Sequence, residues 1–288
     1  MLIVEDSASI CYYTTNFMKN QEINWLLSEK YHGEKSGAFF ADCARLEAGE
    51  PLAYIIGSIP FLDCQISLDS HPLIPRPETE YWVEQAITAI KAESSRKDLA
   101  LRSLASNLES LGSSPKIIDL CAGSGAIGVA VAKGLPEAEV SFAEIDPTHL
   151  PTIKNNIAKN LSINRKVLGD QYEIVQSDLF TDITGTFDFI LTNPPYIDKA
   201  AGTVDASVVS HEPVLALFGG AAGMDIIERI VAGARAHLND DGQLWIEHEP
   251  FQCDAIAVLA TEHHFAVTHH HDQYDTYRYS IMKPLVAE

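Results

Sequence analysis

The spacing of apolar positions changes character three times along the chain. Between Ser7 and about Ala48, the residues Ile10, Tyr13, Phe17, Ile23, Leu26, Leu27, Phe39, Phe40 and Leu46 recur at helical intervals, with breaks at Asn20 and at His32-Gly33. This spacing predicts a small helical unit over residues 1–59. From Pro60 to Glu80 the stretch "PFLDCQISLDSHPLIPRPETE" alternates apolar and polar positions in two short runs, then meets Pro72, Pro75 and Pro77. The alternation predicts a hairpin with a stiff, proline-rich exit over 60–76. A helix is expected to start near Pro77, a residue suited to a first helical turn. It runs into a Ser-, Lys- and Glu-rich stretch from Lys91 to Pro115 that reads as a partly helical linker, so that 77–115 forms a connecting segment. After Pro115, apolar strands alternate with amphipathic helices, the rhythm of a mostly parallel α/β sheet covered on both faces, here over 116–288.

The first strand of that region opens the most informative turn. "KIIDLCAGSGAIGVAVAKGLPEAEVSFAEID" gives a strand (Lys116 to Leu120), a glycine-rich loop, a helix (Ala126 to Lys133) and a second strand (Ala138 to Glu144). Gly123, Gly125 and Gly128 match the spacing G-x-G-x-x-G in the strand–turn–helix setting such a nucleoside-binding loop requires. Glu144 follows Gly125 by 19 residues, the place of a carboxylate that grips ribose hydroxyls. Asp119, just before the loop, sets a negative charge where a dinucleotide would bring its pyrophosphate. S-adenosyl-L-methionine carries an ammonium and a sulfonium instead, so Asp119 favours the methyl donor as cofactor.

A later strand, Phe187 to Thr192, runs into Asn193-Pro194-Pro195-Tyr196. Ligands of such sheets bind beyond the carboxyl ends of strands, which places this tetrapeptide beside the cofactor. Consecutive prolines make a rigid turn whose carbonyls stay free to accept from a ligand, Asn193 adds an amide oxygen, and Tyr196 adds a flat aromatic face. Such a cage suits a planar, conjugated NH2, held by two acceptors with its lone pair toward the methyl. Adenine, cytosine and the side chains of glutamine and asparagine all carry that group, and the tetrapeptide does not separate them. A strand-terminating turn would need no such context.

Composition narrows the substrate. Acidic residues outnumber basic ones 40 to 20, a formal charge of −20, whereas an enzyme on duplex DNA normally shows a basic footprint. A protein amide is therefore the favoured target. The five cysteines are scattered with no Cys-x-x-Cys spacing, which points to free thiols and a reducing compartment. His269-His270-His271 reads as solvated surface and no metal site is expected, since neighbours on a strand point to opposite faces. The amino terminus lacks the pattern of a secretion signal or a typical organelle presequence, and no apolar span of about 18 residues follows, so a soluble intracellular protein is expected.

The blocks "GEPLAYIIGSIPFLDCQISLDSHPLIPRPETEYWVEQAI", "IIDLCAGSGAIGVAVA", "SDLF", "FDFILTNPPYID" and "HEPVLALFGGAAGMDIIERI" resemble, in order, those of the HemK-type methyltransferases. That resemblance implies a helical substrate-docking domain, a hairpin and a seven-stranded Rossmann-like class I methyltransferase domain. It also implies S-adenosyl-L-methionine as cofactor and a peptide chain release factor as partner, methylated on the glutamine of its Gly-Gly-Gln motif, with the enzyme acting as a monomer in cytoplasm or mitochondrion. By position it assigns the cofactor loop to Cys121, Ala122, Gly123, Ser124 and Gly125, the ribose to Glu144 and the adenine border to Asp178 and Leu179. Asn193, Pro194, Pro195 and Tyr196 would hold the glutamine, with Asn193 also facing the cofactor. The loop has Cys-Ala where the family often has Gly-Thr, Leu179 replaces a common aromatic, and "EHEPFQ" departs from the usual glycine-containing form. Two other readings are an adenine amino-methyltransferase acting on DNA or RNA and a methyltransferase-like binding module without turnover.

Overall fold

The computed structural model describes residues 20–104, 114–161, 171–202 and 206–285; Cys11 and the expected helical positions Ile10, Tyr13 and Phe17 lie outside them. Helix α1 (20–29) is followed by α2 (Gly37–Glu47), whose first turn is capped by the Ser36 side chain accepting from Phe39 N–H, and by the short α3 (Leu52–Ile56). Leu26, Phe39, Leu46 and Ile55 close a small core of their own. A hairpin follows, β1 (Ser58–Phe61) paired antiparallel with β2 (Cys64–Ser67), and then the 28-residue helix α4 (Pro77–Leu104), which carries the helical part of the Lys91 stretch to its end. Trp82, Val83, Ala86, Ile87 and Ile90 form the buried stripe of α4, the i, i+4 pattern of a core-facing helix.

The remaining elements in chain order are β3 (Lys116–Leu120), α5 (Ala126–Gly134), β4 (Glu139–Glu144), α6 (Leu150–Asn160), β5 (Tyr172–Gln176), β6 (Phe187–Thr192), α7 (Ala206–His211), α8 (Val214–Leu217), α9 (Asp225–His237), β7 (Leu238–Glu247), α10 (Cys253–Glu262), β8 (Phe265–His271) and β9 (Tyr277–Pro284). The strands make one seven-stranded sheet in the order β5-β4-β3-β6-β7-β9-β8, parallel except at β9, which bears out the expected class. Strand order reverses between β3 and β6, so a crevice opens at their carboxyl ends. One face of the sheet packs on α4, α5 and the hairpin; the other packs on α9 and α10.

Two close approaches fix the site's frame. The carboxamide of Asn156 on α6 accepts from Ser67 N–H and donates to Ser67 O, standing in for a strand neighbour at the hairpin edge. A side chain at Gly128 would strike the Phe142 ring, with a Cβ only 2.3 Å from Cε1, so this glycine lets α5 lie against β4.

The histidine run corrects an expectation. His269 and His270 are half-buried rather than solvated. His269 Nδ1 and His248 Nε2 both lie 2.7 Å from Ser280 Oγ. His248 Nδ1 donates to Glu249 O, so its Nε2 takes the Ser280 proton and the serine oxygen accepts from His269. Burial pushes His248 down to about 4, which leaves the imidazole neutral.

Candidate active site

Three residues of the glycine-rich turn adopt left-handed backbone in alternation: Cys121 (φ 61), Gly123 (φ 55) and Gly125 (φ 77). The repeated reversal curls the loop over the end of β3 and starts α5 at Gly125, its N-cap. Only at Cys121 does a side chain bear the cost of that conformation, about 1–2 kcal/mol for an L-residue. Burial, with Glu144 nearby, pushes the Cys121 thiol up to about 12, so it stays protonated and is no nucleophile at neutral pH.

A cleft lies against this turn. Its wall includes Cys121, Gly123, Glu144, Asp178, Leu179 and Asn193, which the fold brings together from the ends of β3, β4, β5 and β6. Ala122, Ser124 and Gly125 shape the loop from behind the wall. Glu144 organises it: Oε2 accepts from Gly123 N at 2.7 Å and Oε1 from Asp146 N at 2.8 Å. A carboxylate has about four acceptor positions, so each oxygen keeps one for a ligand hydroxyl. Nothing among the described residues lies within 4 Å of the place a Gly123 Cβ would take, which leaves the backbone there open to a ligand. A nucleoside fits these groups: a vicinal diol for Glu144, an apolar border from Leu179 and Ile145, and polar groups at the rim.

Asp119 stands elsewhere. It is fully enclosed under the turn and outside the cleft wall, with Oδ2 accepting from Gly128 N at 2.8 Å. Its Oδ1 is buried with no hydrogen-bond partner among the described residues, and burial raises its pKa well above the usual carboxylate range. The acids that face the cleft are Glu144, Asp146 and Asp178 instead, the last paired with Arg229 at 2.9 Å. Asp146, His149 and Arg229 were not singled out from sequence; the "EID" run after β4 was their nearest signal.

A second groove meets the first at the end of β6. Leu73, Arg76, Pro194, Tyr196, Ile197, Glu249 and Phe251 contribute to its wall, and Leu73, Asn193 and Ala216 border both cavities. The Pro194 carbonyl accepts no hydrogen bond within the described residues. Asn193 Nδ2 donates to Thr79 Oγ1 at 3.1 Å, and its Oδ1 is left available. One acceptor, on Asn193, therefore belongs to a residue that borders both cavities, and a second belongs to Pro194 in the groove wall.

Tyr196 contributes to the groove wall and is also anchored at its hydroxyl end. Its hydroxyl donates to Glu247 Oε1 at 2.9 Å, and burial beside that carboxylate holds the phenol well above its ordinary value. Glu247, at the end of β7, also accepts at Oε2 from Thr79 Oγ1 and from Trp82 Nε1, both at 2.7 Å. The loop Gly219 to Gly223 closes on the tetrapeptide from the other side. A Cβ at Gly219 would lie 2.3 Å from Pro195 O and one at Gly223 1.8 Å from Tyr196 O. Gln252 Nε2 ties the two segments, donating to Tyr196 O and Ala222 O, each at 3.0 Å. Upstream, Glu212 accepts from Ile74 N–H and pairs with Arg76, fixing the proline-rich exit. Glu247, Gln252 and Glu212 all escaped the sequence reading.

The methyltransferase small domain family matches residues 93–211. The chain is similar to the release factor glutamine methyltransferase of Rhodopirellula baltica, 36% identical over 232 residues, which is 80% of this chain and 71% of that protein. With the release factor glutamine methyltransferase of Lactococcus lactis it shares 32% over 262 residues, 90% of this chain and 87% of that one. Among solved structures, the hMettl16 catalytic domain, crystallised with the MAT2A 3′UTR hairpin 6, superposes with a TM-score of 0.55 at 16% identity, over 78% of this chain and 77% of that one. That likeness extends to the fold.

Proposed function

This chain belongs to the release factor glutamine methyltransferases, and from that premise we propose that it methylates the side-chain amide nitrogen of the glutamine in the Gly-Gly-Gln motif of a peptide chain release factor. The observation that carries the reading is the junction of two cavities at Asn193, one suited to a nucleoside and one open to a protein segment. S-adenosyl-L-methionine, held by Glu144, Gly123 and Leu179, supplies an electrophilic methyl group on a sulfonium. The glutamine enters through the groove of Arg76, Pro194 and Phe251. Asn193 Oδ1 and Pro194 O accept its two N–H groups and turn the nitrogen lone pair toward the first cleft.

An amide nitrogen is a poor nucleophile because its lone pair is delocalised. The residues therefore act by placement, holding the nitrogen at about 3–3.5 Å from the carbon it attacks, where fixed geometry alone is worth several powers of ten. No side-chain base is required before transfer; the surplus proton leaves by the open groove to water.

The helical front end presents exposed Trp25 and Phe40, which supports its assignment to release-factor docking. The charge of −20 supports a site free of direct nucleic-acid contact. No helix among the described residues is long and apolar enough to cross a membrane. We take the enzyme to act as a monomer, in cytoplasm or mitochondrion.

Radiolabelled methyl transfer to a recombinant release factor, run beside DNA and RNA and traced by mass spectrometry, tests the assignment. Label on the Gly-Gly-Gln glutamine is expected; label on nucleic acid alone would refute it. A separate expectation concerns the cofactor. Glu144→Ala should weaken S-adenosyl-L-methionine binding by about 1.5–3 kcal/mol, roughly 10- to 150-fold, through lost charge-assisted bonds to ribose and a loosened Gly123. Isothermal titration measures it, and an unchanged dissociation constant would remove Glu144 from the site.

A further inference from the structure

We propose that Glu247 and Thr79 are positioning residues that fix which end of the Asn193 carboxamide faces the substrate. The argument rests on the methyl-transfer reading above and on a count of protons. Glu247 Oε2 is an acceptor, and Thr79 Oγ1 and Trp82 Nε1 both lie 2.7 Å from it. Thr79 owns a single hydroxyl proton, which this contact uses. Its oxygen therefore presents only a lone pair to Asn193, 3.1 Å away, and the group that meets it must be the amide NH2. Oxygen and nitrogen of an amide are alike in shape, so nothing steric sets this choice; the hydroxyl's direction does. The consequence is that Oδ1 turns toward the cavity junction as an acceptor. A flipped amide would point N–H groups at the N–H groups of the incoming glutamine.

The sheet explains why these residues meet. Parallel pairing of β6 with β7 sets Thr192 opposite Ile246, so the next residues, Asn193 and Glu247, emerge side by side at the carboxyl edge. The first two turns of α4 lay Thr79 and Trp82 across them, both buried. The second oxygen of Glu247 takes the Tyr196 hydroxyl at 2.9 Å. One carboxylate thus anchors both ends of the tetrapeptide without lining either cavity.

The test compares Thr79→Val, which keeps shape and removes the proton, with Thr79→Ser, which keeps the hydroxyl. Both are measured for kcat on a release factor, for cofactor dissociation constant and for thermal midpoint. Thr79→Val is expected to lower kcat about 10- to 100-fold, the usual cost of losing an orienting outer-shell partner, while Thr79→Ser stays near wild type and cofactor affinity stays constant in both. The comparison is repeated in Asn193→Ala, which has no carboxamide to orient. Adding Thr79→Val to that variant should cost little beyond the alanine itself. A full kcat in Thr79→Val, or an equal further loss in both backgrounds, would overturn the assignment. Wild-type protein that transfers no methyl to any release factor would instead refute the functional reading itself.

Discussion

Asn193→Ala is expected to lower kcat for glutamine methylation by about 10²- to 10³-fold, the scale on which removing one well-placed hydrogen-bonding group slows acyl transfer. Cofactor affinity should change far less. Asn193 borders the cofactor cleft, but the polar atom it offers there is Oδ1, and the proposed partner of that atom is the acceptor amide. The alanine keeps the rigid proline turn, which Gln252 and Glu247 hold through Tyr196. The loss should therefore appear in kcat, with the thermal midpoint nearly constant. Single-turnover kinetics with calorimetry on the same preparation separates the two effects, and a variant that loses cofactor binding in step with turnover would reassign Asn193 to the cofactor.

The second large effect is expected where backbone meets backbone. Gly223 sits at φ 69, and a Cβ there would come within 1.8 Å of the Tyr196 carbonyl oxygen. Gly223→Ala adds a left-handed cost of about 1–2 kcal/mol to an overpacking cost of about 1–3 kcal/mol. The thermal midpoint should fall by roughly 4–20 °C at about 2–4 °C per kcal/mol for a domain of this size. Activity should fall further than stability predicts, because the clash pushes on Tyr196 and so on Asn193, where a displacement of about 1 Å can cost 10²-fold. Gly202→Ala is the control: φ is 62 but nothing among the described residues lies within 4 Å, so only the backbone cost is expected. Equal losses at both positions would mean that the contact with Tyr196 is not tight.

Local pattern and spacing were enough to place the glycine turn, β3, α5, β4 and β6, because each is written in consecutive residues. They also set the tetrapeptide at the carboxyl edge of the fourth strand of the sheet. What stayed hidden depends on distance along the chain. Thr79 and Glu247 are separated by 168 positions, so no local spacing links the hydroxyl to the carboxylate it meets. Gly219 and Gly223 stand in the block "HEPVLALFGGAAGMDIIERI" without a local signal, since their need for a missing side chain arises from Pro195 and Tyr196 across the fold. Asp119 read as a charge for the cofactor because sequence order put it beside the turn; alternation along β3 then buried it beneath. Three adjacent histidines read as surface, since Ser280, the partner of His269, sits on the neighbouring strand β9.

The narrow meeting of the two cavities at Leu73, Asn193 and Ala216 carries a consequence for the order of events. On the proposed reading donor and glutamine occupy separate cavities, so a partner that covers only the groove of Arg76, Pro194 and Phe251 would leave spent donor free to exchange for fresh donor while still docked.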